Sequence, residues 1–142
     1  ASLAPDSDMK AILNRRWVEC VRCVDASADL AAVVMMGGLL EALFAARANC
    51  VPDRRVLFKG GERPADIRKW RLNLHIDVAH ELGWISEPHK DLLGVLRDYR
   101  NFVHPGAELA RGVRLKEGDS HTFWALTKSL TQQLLKSVPA AA

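Results

Sequence analysis

Apolar residues recur at three- and four-residue intervals along most of the chain, a period that predicts helices and no strand. In residues 9–25, Leu13, Trp17, Cys20, Val21 and Val24 share one stripe, with Arg15, Arg16, Glu19 and Arg22 on the other face. Ser7 is the expected cap of this amphipathic helix, and residues 1–6 read as a loose tail. Residues 28–49, capped by Ser27, are apolar nearly all round, which places this second helix at the centre of a bundle. Gly37 and Gly38 each cost about 1 kcal/mol in a helix interior, so they predict a close helix–helix crossing. Glu41 interrupts the apolar run and is expected to pair with a bundle arginine.

Residues 50–63 carry Pro, Gly-Gly and many charges and read as a loop. A third helix runs from Pro64 to Leu82 with apolar stripes on two sides, and Gly83 ends it. Trp84 and Ile85 then fold back on the core. Ser86 caps the fourth helix, with Glu87 and Pro88 in its first turn. Its buried stripe is Leu92, Leu93, Leu96, Tyr99 and Val103, and Pro105-Gly106 stops it directly after His104. Residues 107–118 read as a polar connection. Asp119 or Ser120 caps a last helix, residues 123–138, and residues 139–142 are a flexible tail. The chain thus predicts a single all-α domain over residues 1–142, a five-helix bundle.

Composition changes this picture little. A chain of 142 residues, 49% hydrophobic and 26% charged, can build a core without disulfides or structural metal. The net charge of +3 permits a polyanionic partner without requiring one. Seven basic residues against three acidic ones fall within residues 53–71, which supplies the whole surplus. That segment reads first as a solvated loop and second as a phosphate-backbone contact. Three cysteines without a repeating spacing argue for a reducing compartment. The longest apolar run, residues 30–40, is short for a bilayer and stops at Glu41, and no secretory leader is visible. The expectation is a cytoplasmic protein with no membrane contact.

Most chemistry is excluded by what the sequence lacks. Cys20 and Cys23 form a CxxC, but no second pair of soft ligands matches it, so no metal is expected. His75 and His80 are five apart and face different ways, and His121 reads as exposed. There is no glycine-rich phosphate loop, no dinucleotide fingerprint and no nucleophile elbow, and no cofactor is expected. Only LGVLRDYRNFVHP, residues 93–105, gathers groups suited to chemistry. On a continuous helix Arg97 and His104 nearly eclipse each other, and Arg100 shares their face. Either arginine offers a fork of N–H donors to a phosphate. As a histidine, His104 is a candidate general acid or base, with Asp98 or Asn101 as positioning groups. The set suffices for metal-independent RNA cleavage. Alternatively it is a structural network, with arginine paired to Glu41 or Asp91 and His104 capping the helix C-terminus.

LRDYRNFVHP resembles the signature of the HEPN superfamily, an arginine and a polar residue followed four to six residues later by histidine on a late helix of an all-α bundle. Two registers fit loosely: Arg97-Asp98 with six residues before His104, and Arg100-Asn101 with three. The resemblance implies an up-and-down HEPN-like core. It also implies a homodimer that brings two signatures to one cleft. Family members either cut RNA without metal, with His104 and Arg97 or Arg100 in the acting roles, or bind nucleic acid, nucleotides or protein partners without catalysis. It further implies a defence or toxin–antitoxin setting. The other expectation is a non-enzymatic helical interaction module.

Overall fold

The computed structural model describes Leu3 and residues 6–139. Among these it is all-helical, with seven α-helices rather than five. Five are long: α1 (Ser7–Asp25), α2 (Asp29–Ala48), α4 (Leu72–Glu81), α5 (Glu87–Arg100) and α7 (Asp119–Ser137). Two short ones, α3 (Arg55–Phe58) and α6 (Pro105–Arg111), lie where sequence predicts loops.

α2 is the central helix, as its all-round apolar pattern predicts. It packs against α1, α4, α5 and α7 and buries Val33, Met36, Leu39, Leu40 and Phe44. It runs to Ala48, close to the expected end, and its 20 residues are long and apolar enough to cross a membrane by length and composition. Half of that window is buried inside the bundle, as in a core helix.

Two hydrogen-bonded ties fix α2 to α7. At one end Asp29 Oδ1 accepts from Ser120 N at 3.2 Å. At the other, Arg47 donates to Ser137 Oγ and Ser137 O, both at 2.8 Å. Start meets start and end meets end, so α2 and α7 run in the same direction. α5 runs opposite to α7, since His89 meets Ser129 while Tyr99 stacks on Phe123. α4 and α5 form a hairpin, so α4 runs with α2. Strict up-and-down alternation would oppose the second and last long helices. The traverse of residues 49–71 between α2 and α4 removes that alternation.

The local differences from sequence have identifiable causes. Ser27 does not cap α2, because it closes α1 instead. Its φ of 56° puts it in the left-handed region. Ser27 N then bonds Val24 O and Ala28 N bonds Cys23 O, which is the Schellman arrangement. α1 begins two residues early, with Asp6 accepting from Asp8 N, so Ser7 is helical rather than the cap. Leu3 is buried in the core, contrary to a loose tail over residues 1–6; residues 1, 2, 4, 5 and 140–142 of the expected tails lie outside the described residues.

The predicted third helix is broken. Asp66 caps a 3-10 turn, Ile67–Lys69, and also grips the Arg68 side chain. Such local bonds compete with helix continuation. Trp70 and Arg71 are extended, and the Trp70 indole donates to Pro64 O at 2.8 Å. α4 ends at Gly83 as predicted, with φ 77°, Gly83 N on His80 O and Trp84 N on Ala79 O, and Trp84 and Ile85 are buried. Ser86 caps α5, accepting from His89 N. α7 begins at Asp119, four residues before the expected start, behind Gly118 with φ 92°.

Candidate functional site: a cleft at the end of α5

α5 is amphipathic, and burial of Leu93 and Leu96 in the core orients the rest of it. Leu92 and Val103, expected on the buried stripe, are instead 52% and 50% exposed. For Val103 the reason is that α5 does not run on to His104. It ends at Arg100, and Asn101–Val103 tighten into a 3-10 turn. His104 is extended (φ −91°, ψ 111°) and its carbonyl accepts from Ala107 N and Glu108 N. Pro105 therefore starts α6 rather than ending α5, a position that suits a residue without an N–H. His104 stands at a helix N-terminus, so the C-terminal capping role is not available to it.

The eclipsed stripe predicted for a continuous helix is thus absent, yet the break gathers the same residues. Arg97, Asp98, Arg100, Asn101 and His104 all line one cleft of about 650 Å³. The other walls are Val34 and Glu41 of α2, the extended Trp70 and Arg71, and Leu72 and Asn73 at the start of α4. Asn101 and His104 are exposed, whereas Arg97, Asp98 and Arg100 are half-buried.

Electrostatics inside the cleft is nearly balanced. Arg100 Nη1 lies 2.9 Å from Glu41 Oε1. Its aliphatic stem lies on Gly37, where an added Cβ would stand 2.9 Å from Arg100 Cδ. The close approach predicted at Gly37 is real, but the approaching group is a side chain. Gly38 differs, since a Cβ there would meet nothing within 4 Å. Arg97 Nη2 donates to Asp98 Oδ1 at 3.1 Å, and Arg111 of α6 reaches Asp98 Oδ2 at 3.8 Å. Three guanidiniums, those of Arg71, Arg97 and Arg100, therefore face two carboxylates. One cation is in excess, and each paired arginine keeps N–H donors beyond those its carboxylate uses.

Arg71 is a further cation of the cleft, which sequence singles out only as part of the basic segment, and it stays exposed here. It was one of seven basic residues in a charged run, and only the break at Trp70 turns it into the cleft. The rest of that run is largely self-neutralised: Arg55 pairs with Asp53, Arg68 with Asp66, and Arg63 with Glu81 of α4. The expected Arg–Asp91 alternative does not occur among the described residues, where Glu41 takes that role.

The remaining candidates lie elsewhere. Cys20 is buried, and burial pushes its thiol up to about 11, so it behaves as a small core residue. No cluster of three or more His, Cys, Asp or Glu side chains suited to a metal occurs among the described residues. His75 is buried against Phe44 and Trp70, and burial pushes its pKa down to about 4. Comparison with known protein families, curated proteins and solved structures finds no match for the chain.

Proposed function

We propose that this cleft binds the phosphate backbone of RNA, in a HEPN-like domain, and that His104 supports metal-independent cleavage there. The observation that supports this most is convergence: both registers of the Arg…His signature, with Arg71 added from just before α4, line one cleft. In the proposed reaction the RNA 2′-hydroxyl attacks the adjacent phosphorus. The bond from phosphorus to the 5′-oxygen breaks, leaving a cyclic phosphate and a 5′-hydroxyl. His104 takes the proton from the 2′-hydroxyl. Arg97 and Arg100 stabilise the charge that develops on the phosphoryl oxygens, with Asp98 and Asn101 positioning them. A second copy of the chain would supply the second proton carrier. Leu92, Val95, Val103 and Leu109 are exposed, Leu109 at 84%, and Val103 also lines the cleft, which favours a homodimer seated beside it. The setting is cytoplasmic, of the defence or toxin–antitoxin kind, by the same resemblance.

The test is RNA incubated with the purified protein and excess chelator. Cyclic-phosphate ends are expected from the wild type and none from His104→Ala, with both proteins equally folded. Cleavage that survives His104→Ala unchanged would sink the catalytic role, and sedimentation as a strict monomer would remove the shared cleft.

A second reading has its own observation. Glu41 already neutralises Arg100, on a stem packed against Gly37. In that reading the network is structural and the domain is an interaction module. Arg100→Ala then lowers thermal stability, and His104→Ala leaves RNA untouched.

A further inference from the structure

A second cavity, of about 550 Å³, lies against the cleft. Glu41 and Trp70 line both, so the two share a wall. The chemistry changes across it. On the far side Gly38, Ala42 and Ala45 of α2 stand on one helical face and form a floor of minimal side chains. At Gly38 an added Cβ would meet nothing within 4 Å among the described residues, and Leu3, Asp6 and Met9 also line the cavity. Aromatic surface comes from Trp70 and from His75, which is buried and uncharged near neutral pH. The Trp70 indole N–H is already committed to Pro64 O at 2.8 Å, which fixes the ring in place.

We propose that this cavity is the base pocket of the cleft and that it selects guanine. The proposal rests on the reading that the cleft holds nucleotide phosphate. A cavity of this size with Trp70 and His75 in its wall suits a nucleobase, and every base has a π-face to offer. Selection falls to Glu41. Its Oε1 is bound to Arg100, and a carboxylate has capacity for further donors. Guanine alone presents two adjacent N–H donors, N1–H and the N2 amino group, to a single carboxylate. Adenine places an unprotonated N1 beside its amino group, and uracil flanks its N–H with two carbonyls. Glu41 thus joins the two halves of the site: Oε1 accepts from Arg100 and keeps a second lone pair, so that it and Oε2 can together accept the two N–H groups of the base edge.

Calorimetric titration of the full chain with guanosine 5′-monophosphate, adenosine 5′-monophosphate and ribose 5-phosphate, without metal, tests this. Guanosine monophosphate is expected to bind about tenfold tighter than either of the others, the scale of one two-donor base contact. Gly38→Leu fills the floor and keeps a helix-favouring residue, so it should remove that advantage and leave ribose 5-phosphate within about twofold. Glu41→Gln should abolish the guanine-over-adenine preference whether or not Gly38→Leu folds. Equal binding of all three ligands by the wild type overturns the base pocket and leaves the phosphate cleft standing. Preference retained in both variants also overturns it. Failure of all three to bind overturns the pocket together with the phosphate reading.

Discussion

Two arginines reach between helices in this bundle, and their surroundings could hardly differ more. Arg47 is 4% exposed and has no carboxylate partner among the described residues. Its guanidinium lies 4.3 Å from the Trp84 ring centroid and donates twice to Ser137, while Nη1 is buried without a partner. Burial pushes its pKa below the usual guanidinium value. Arg100 keeps 31% of its side chain exposed, meets Glu41 at 2.9 Å and lies along a cleft wall. A charge held by carbonyl and ring dipoles in the interior has no anion to exchange, so Arg47 can only be architectural. A charge held by a carboxylate at the edge of water can trade that partner for a phosphate. Burial and partner type, rather than residue type, separate the structural cation from the candidate functional one.

The largest expected effect lies at the buried arginine. Arg47→Ala removes packing on Trp84 and both bonds to Ser137, and should cost about 3 kcal/mol in chemical denaturation. A loss below about 1 kcal/mol would break the contrast. Next comes His75, a basic group that the interior, in contrast to Arg47, keeps uncharged near neutral pH. Its folded pKa of about 4 lies below the ordinary 6.5, so the unfolded chain binds the proton more tightly. The stabilisation is therefore full above pH 6.5 and declines as pH falls toward 4, by up to about 3 kcal/mol. Denaturation midpoints between pH 7 and 4 should show this limb in the wild type and a shallower one in His75→Phe. The smallest expected effect is at Gly37. Ala there must displace Arg100, yet it gains about 1 kcal/mol of helix propensity, so net stability should move by less than about 1 kcal/mol. Binding of RNA should nonetheless weaken severalfold. Unaltered binding would show that Arg100 is as structural as Arg47.

Much of this fold is legible in the sequence because helix period and caps are local signals. The α2 centre, the Gly83 stop and the Ser86 cap all follow from residues within one or two turns. The break at Trp70 is not legible, because an unbroken apolar stripe runs through it and the deciding bonds involve Pro64 and Asp66. The same holds for α6, since Pro105 reads equally well as a stop or a first-turn residue until the tertiary context chooses. At the site, residue identities were legible and geometry was not. Arg97, Arg100 and His104 share a cleft through a kink at Asn101–Val103, not through helical eclipse. Arg71 and Arg47 were hidden for opposite reasons, one within a charged run and the other within an apolar one.

The paired ties between α2 and α7 bear on how the chain reaches this state. They join residues 91 and 90 apart in sequence, so neither can form before most of the chain exists. Closing a loop that long has an entropic cost that grows only logarithmically with length. Once one tie is in place, helical rigidity brings the other ends together with little further loss. Local hairpins such as α4–α5 close short loops, whereas the α2–α7 seam closes long ones.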